Sequence, residues 1–381
     1  MFMQIIPVAS GKGGVGKSLL SANLAITLGQ AGKKVILADL DLGASNLHLV
    51  IGQSSPKAGI GTYLTGENSF EQIIQPTEYE NVFFIAGDSE IPGLSSIKTS
   101  QKKALIKKFQ SLDCDYLIID LGAGTHLTIL DLFLLSPQGI IVTAPTVTAT
   151  LNGYLFLKNA VFRLMANSFK KNSKAFQFLE KLKNDSSSLQ KLYIPKLIEQ
   201  IRSIDPESAA NFEERMAQFH PRLIINMIDE PKDADKALKI RRSCQQYLGL
   251  EVESLGVMYK DSLQDKALSS RLPVVVYKPK SLISQAIYRI AEKILQSETL
   301  QFHGDFDDFE NDSYEITAEE ASDDYLQKLN LIEDLLGTGT FTVGELAETI
   351  KTQAYEINQL KSENLLLKSK LVRAAKEGFI V

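Results

Sequence analysis

The sequence predicts an α/β fold, a mostly parallel twisted sheet with helices on both faces, and three observations predict it. A glycine-rich phosphate loop, Gly11 to Ser18, directly follows an apolar run at the start of the chain. Two later apolar runs each end in a carboxylate, at Asp39 and at Asp120. Such runs suit strands buried on both faces, which need crossover helices to cover them and place ligands at their carboxyl ends.

The first strand is expected over Met3 to Ala9, where Ile5-Ile6-Pro7-Val8-Ala9 is apolar throughout. The loop Gly11-Lys12-Gly13-Gly14-Val15-Gly16-Lys17-Ser18 fits the pattern G-x-x-x-x-G-K-[ST]. In it, glycines let backbone N–H groups approach phosphate, the lysine reaches the β/γ-phosphates and the hydroxyl holds Mg²⁺. That spacing assigns Lys17 and Ser18, and leaves Lys12 surplus to a single site. Leu19, Leu20, Ala22, Leu24, Ala25 and Leu28 then form a helical face that ends at Gly29 to Gly32.

The next strand, Lys34 to Leu40, delivers Asp39 and Asp41, which alternation places on one side if the strand continues. A third carboxylate closes Asp115-Tyr116-Leu117-Ile118-Ile119-Asp120, followed by a flexible Leu121-Gly122-Ala123-Gly124. A hydrophobic strand ending in Asp is how phosphate-loop enzymes bring a carboxylate near Mg²⁺. The metal set expected is therefore Ser18, Asp39 and Asp120.

With these residues in place, the chain resembles the MinD/ParA family of deviant Walker-A ATPases, and Asp39 to Gly52 (DLDLGASNLHLVIG) is similar to the MinD and FlhG branch. The resemblance implies a P-loop NTPase fold with ATP and Mg²⁺ as cofactors. It also implies that Lys12 crosses a homodimer interface to the partner's phosphates, that Asp41 orients the attacking water, and that Gly122 to Gly124 sense the γ-phosphate. Asn226, in Ile224-Ile225-Asn226-Met227, corresponds to the family's adenine-reading asparagine. Leu255 to Asp261 corresponds to the base-binding loop, with Tyr259 where a proline is usual.

This division of labour is physically reasonable, because phosphoryl transfer to water needs positioning and charge cancellation more than covalent chemistry. A lysine that arrives only when two subunits meet makes hydrolysis conditional on assembly. The implied function is a slow ATPase switch that positions a cellular structure, in division, flagellar placement or chromosome partitioning. The alternative is a coiled-coil scaffold whose nucleotide site is structural. Intact Lys12, Lys17, Ser18, Asp39, Asp41 and Asp120 favour the ATPase, since a scaffold has no chemical need for all six.

Composition bounds the rest. At 381 residues and 44% hydrophobic, the chain suits one large domain, expected over 1–300, plus an appendage. Its two cysteines, Cys114 and Cys244, are far apart, which argues against disulfides and against the family's iron–sulfur carrier branch; Cys114 is expected to be a small buried residue. The opening run is already a strand and no apolar run reaches about 18 residues, so cytoplasmic residence is expected. Tyr314, Tyr325 and Tyr355 are scattered, unlike the terminal tyrosine cluster of related bacterial tyrosine kinases.

Net charge is −5, yet residues 304–381 hold seventeen acids against seven bases, so the head is mildly basic. Asp305 to Asp324 carries ten acids and no lysine or arginine, and reads as a disordered linker over 301–325. A helical insertion is expected at about 166–220, with Lys170, Lys171, Lys174, Lys181 and Lys183; a second basic group is Lys236, Lys239, Arg241 and Arg242. A solvated basic face is the default reading, and nonspecific DNA, anionic lipid or the tail are the alternatives.

Residues 326–381 are expected to be helical. From Val343 to Ala374, seam positions step by three and four, with Asn364 at an a position and Glu356 and Glu363 opposite Lys361 and Lys368. That suits a parallel coiled-coil homodimer. The basic, apolar Leu365 to Val381 also admits a membrane-surface helix at the inner face of the membrane, and a partner protein is the remaining platform.

Overall fold

The computed structural model describes residues 3–41, 45–54, 57–87, 98–184, 193–300 and 309–337, with isolated helical positions between 344 and 367. Among the described residues there are eight strands: β1 (Gln4–Ser10), β2 (Val35–Leu40), β3 (Ile74–Pro76), β4 (Val82–Ile85), β5 (Tyr116–Ala123), β6 (Ile140–Thr143), β7 (Arg222–Ile228) and β8 (Glu253–Tyr259). They form one sheet in the order β3-β4-β2-β5-β1-β6-β7-β8, parallel except where β3 joins β4. The helices are α1 (Lys17–Gln30), α2 (Leu47–Val50), α3 (Ile60–Thr65), α4 (Thr99–Gln110), α5 (Leu127–Phe133), α6 (Val147–Ser168) and α7 (Lys174–Asn184). Then follow α8 (Ile194–Ile204), α9 (Pro206–Ala217), α10 (Asp235–Leu248), α11 (Leu263–Ser269), α12 (Val274–Tyr277), α13 (Leu282–Leu300) and α14 (Phe309–Gly337).

Strand β2 is buried at all six positions, which explains its unbroken apolar run: a parallel strand covered on both faces has no polar side to show. Pro7 is tolerated in central β1 because β6 pairs only with Val8 and Ala9, beyond the proline that lacks an N–H. Helix α1 packs on β2 and on α13, while α6 packs with α5, α9 and α10. Leu20, Leu24, Leu28, Leu37, Ile118 and Ile287 belong to the resulting core.

Two expectations need correction near the site and one in the tail. Strand β5 runs through Ala123, so Leu121 to Ala123 is sheet and not a flexible turn; parallel pairing of Leu40 with Leu121 carries the ladder past the aspartate. Cys114 is half-exposed instead of buried, since it lies before β5 begins.

The acidic linker expected over 301–325 is helix from Phe309 onward, and residues 301–308 lie outside the description. Its early turns are packed: Tyr314 donates to the Val252 carbonyl at 2.5 Å, Thr317 donates to Ser254 Oγ at 3.0 Å, and Glu320 bonds Lys293 at 2.8 Å. The acids share the helix with a face of Tyr314, Thr317 and Ala321, spaced for one side, and burying that face offsets the loss of chain entropy. Compactness accordingly divides the chain at 323/324 and not at 300.

Residues 166–220 contain α7, α8 and α9. The heptad stretch and the terminal basic helix fall almost wholly outside the described residues. Among the described residues no helix is long and apolar enough to cross a membrane.

Candidate functional site

The loop between β1 and α1 is shaped by what surrounds its glycines. Gly16 has φ +84°, and a Cβ there would lie 2.1 Å from Asn226 Nδ2. A Cβ on Gly11 would lie 2.1 Å from the Asn152 carbonyl of α6, so only glycine lets loop and helix approach this closely. Asn226, 1% exposed at the end of β7, donates from Nδ2 to the Val15 carbonyl at 2.9 Å and accepts from the Met227 amide at 2.8 Å. It therefore clamps the loop from behind. Helix α1 then begins at Lys17, so its first amides face the cavity, the arrangement that favours bound anions.

The cavity holds about 320 Å³ and is lined by Ser10, Gly13, Gly14, Gly16, Lys17, Ser18, Leu19, Asp41, Ala123, Met227 and Gln264. Of the sequence-predicted groups, Asp41 thus joins the loop across the cavity. Lys17 Nζ pairs with Asp120 Oδ1 at 2.7 Å, with exposures of 7% and 1%. Ser21 donates to the same Oδ1 at 2.9 Å, while Asp120 Oδ2 is buried without a hydrogen-bond partner.

Asp39 is the register neighbour of Asp120 across β2 and β5. Both its oxygens are engaged: Oδ1 accepts from the Asp41 amide at 3.0 Å, and Oδ2 from Ser45 Oγ at 2.7 Å and the Leu47 amide at 3.2 Å. Burial, and then the neighbouring Asp120 carboxylate, push Asp39 up to about 6. Asp39 thus organises the chain after β2, whereas Asp120 has an oxygen to offer.

Lys12 is exposed, and its ammonium lies 3.3 Å from Thr148 Oγ1 at the start of α6. The two lysines of one loop therefore occupy opposite environments. Residues 42–44 and 88–97 near the carboxyl ends of the strands are outside the description.

Among the described residues no group of three histidine, cysteine or acidic side chains could hold a metal ion. Magnesium keeps several waters and takes only one or two carboxylates beside its phosphates. The orphaned Asp120 Oδ2, with Ser18 on the cavity wall, fits that habit.

Comparison with known proteins agrees with the geometry. Residues 2–154 match the family model described as ParA, NUBPL iron-transfer P-loop NTPase. Residues 2–154 are thus similar to P-loop NTPases of the MinD/ParA family. The chain is 34% identical over 160 residues to the flagellum site-determining protein YlxH of Helicobacter pylori, covering 41% of this chain and 53% of that one. It is 30% identical over 147 residues to the septum site-determining protein MinD of the same organism, covering 38% and 54%. The chain thus spans about half the length of these curated relatives.

The MinD structure complexed with Mg-ADP from Pyrococcus horikoshii superposes with a TM-score of 0.55 at 22% identity, covering 79% of this chain and 99% of that one. At that identity the likeness is one of fold. What sequence reasoning missed was Gln264 and Met227 on the cavity wall, and the use of Tyr259. Tyr259 is 3% exposed and donates to the Ala321 carbonyl of α14 at 2.7 Å, so it fastens the C-terminal helix. The proximity of an acidic helix was the missing signal.

Proposed function

We propose that the chain is a slow, ATP-dependent dimer switch of the cytoplasm or the inner membrane face, whose hydrolysis waits on a second copy and whose cycle positions a cellular structure or partner. The observation that carries this reading is the contrast between the two loop lysines. Lys17 is buried against Asp120, whereas Lys12 is exposed at the front of the same loop. A buried ammonium serves its own site; an exposed one is available to another subunit.

In this reading Lys17 and the first amides of α1 hold phosphate, and Asp41 orients water from across the cavity. Ser18 and Asp120 are the residues that would hold Mg²⁺, with Asp39 behind them as organiser. The ion supplies neutralisation of phosphate charge. Lys12 plays the part of a cationic finger provided in trans. The names of the relatives, septum and flagellum site-determining proteins, support placement as the output.

The test is sedimentation of the full chain with an uncleavable ATP analogue and Mg²⁺, beside steady-state hydrolysis. Wild type should dimerise with the analogue, and Asp41→Ala should accumulate that dimer with ATP itself. Lys12→Ala should bind nucleotide but lose concentration-dependent turnover. A monomer at saturating analogue, or normal turnover in Lys12→Ala, overturns the proposal.

A further inference from the structure

Two carboxamides stand by the phosphate loop, and their hydrogen bonds are in opposite states. Asn226 is 1% exposed, with Nδ2 given to the Val15 carbonyl and Oδ1 to the Met227 amide. Gly16 lies directly over it, since a Cβ there would come within 2.1 Å of Nδ2, and Asn226 is not among the described residues lining the cavity. Gln264, near the start of α11, does line the cavity and is partly exposed. Among the described residues its carboxamide takes no hydrogen bond.

The cavity wall divides by chemistry. Gly13, Gly14, Lys17 and Ser18 form the phosphate-binding part, whereas Leu19, Met227 and Gln264 are uncharged. Leu19 and Gln264 also wall a second, mostly apolar cavity of about 90 Å³ together with Val50, Ala267 and Val274. A flat ring beside such side chains buries apolar surface, and the thioether of Met227 suits contact with an aromatic ring. Met227 reaches the wall through backbone that few side chains adopt, φ +62°, where β7 slips register against β8 between Asn226 and Ile228. Strain of that kind persists only where neighbours impose it, and here Asn226 Oδ1 holds the Met227 amide.

Apolar contact holds any ring equally, so discrimination between bases needs a polar group whose bonds are not already spent. An unspent carboxamide presents a donor and an acceptor side by side, which matches the exocyclic amine and neighbouring ring nitrogen of adenine. We propose that Gln264, and not Asn226, reads the adenine edge of the nucleotide, with Leu19 and Met227 against the ring. Asn226 is then a positioning residue that acts through the loop and Met227. The assignment depends on nucleotide binding as proposed for the switch, but on neither dimerisation nor hydrolysis.

Calorimetric titration of the full chain with the magnesium complexes of ADP, GDP and pyrophosphate separates base from phosphate. Wild type should prefer ADP to GDP. Gln264→Leu should weaken ADP by about tenfold, leave pyrophosphate unchanged and bring ADP level with GDP. Asn226→Ala should weaken pyrophosphate as well as ADP while keeping the preference for ADP. A preference that survives Gln264→Leu, or that vanishes in Asn226→Ala, overturns the proposal. So does a wild type indifferent to the base, or a Gln264→Leu variant that loses pyrophosphate as strongly as ADP. Wild type that binds neither ADP nor pyrophosphate would instead overturn the nucleotide site itself, a failure seen before any variant is made.

Discussion

Replacing Lys17 by alanine should unfold the metal-free protein more readily than losing one surface charge would. The ammonium is 7% exposed and the carboxylate it neutralises is 1% exposed, with Asp120 Oδ2 already unpartnered. Removing one partner of a buried pair leaves an uncompensated charge, at a cost of about 3–5 kcal/mol. At roughly 2 °C per kcal/mol for a large domain, the melting temperature should fall by about 6–10 °C. Asp120→Asn in the Lys17→Ala background removes the stranded charge and should recover more than half of that loss. Differential scanning calorimetry in EDTA on wild type, both single variants and the double variant completes the cycle. Additive losses, with the double variant melting below either single one, would refute the view that this pair is energetically coupled. Ser21 supplies an internal control: Ser21→Ala removes a 2.9 Å hydrogen bond to the same oxygen without stranding charge, and should cost about 1 kcal/mol.

Three further outcomes are expected. Gly16→Ala forces a side chain into φ +84° and against Asn226 Nδ2 at 2.1 Å, so strain and the disturbed clamp together should cost about 2–4 kcal/mol; unchanged melting would show that the loop can shift. Tyr259→Phe deletes the 2.7 Å bond to Ala321 and should cost about 1 kcal/mol, read as faster amide exchange over 313–321 with the sheet unaffected. For Asp39, the folded value of about 6 stands above the ordinary carboxyl value of 3.8, so between these the native state holds a proton that the unfolded state has released. Its contribution is therefore present at low pH and lost as pH rises through the window, by about 3 kcal/mol in the metal-free protein. Asp39→Asn should flatten that slope in urea titrations between pH 4 and 6.5, and a slope equal to wild type would assign it to another group.

The sheet could be read in the sequence because parallel strands buried on both faces leave unbroken apolar runs, as in Val35 to Leu40 and Tyr116 to Ile119. The phosphate loop was legible for another reason: its backbone geometry demands glycine, and demand of that kind shows in composition. Asn226 was visible as a residue, but its clamp on Val15 is a contact 211 positions away in sequence that no local pattern reveals. Helix α14 failed the reading because ten acids in twenty residues signal solvation, while the few side chains that dock it are spread thinly. Tyr259 was read only as a departure from a family habit. Its meaning depended on Ala321, which sits in the stretch expected to be disordered.

The Lys17–Asp120 pair also bears on how nucleotide and metal arrive. A phosphate that draws Lys17 towards itself strands Asp120, whose second oxygen has no donor, and whose burial leaves little help from water. The cost, again about 3–5 kcal/mol, opposes nucleotide binding unless a cation reaches the carboxylate in the same event. Affinity for ADP should therefore fall in EDTA by about two to four orders of magnitude relative to saturating Mg²⁺. If stranded charge is the cause, and not merely the loss of contacts to phosphate, Asp120→Asn should bind ADP in EDTA more tightly than wild type and depend far less on Mg²⁺. Titrations of both proteins under both conditions measure the difference as a coupling free energy, and equal Mg²⁺ dependence would show that Lys17 leaves Asp120 without penalty. The same exchange of partners would explain why the loop carries two lysines. An ammonium tied to a buried carboxylate is available only through that exchange, whereas Lys12, held at the surface 3.3 Å from Thr148, can be given to another subunit without stranding anything behind it.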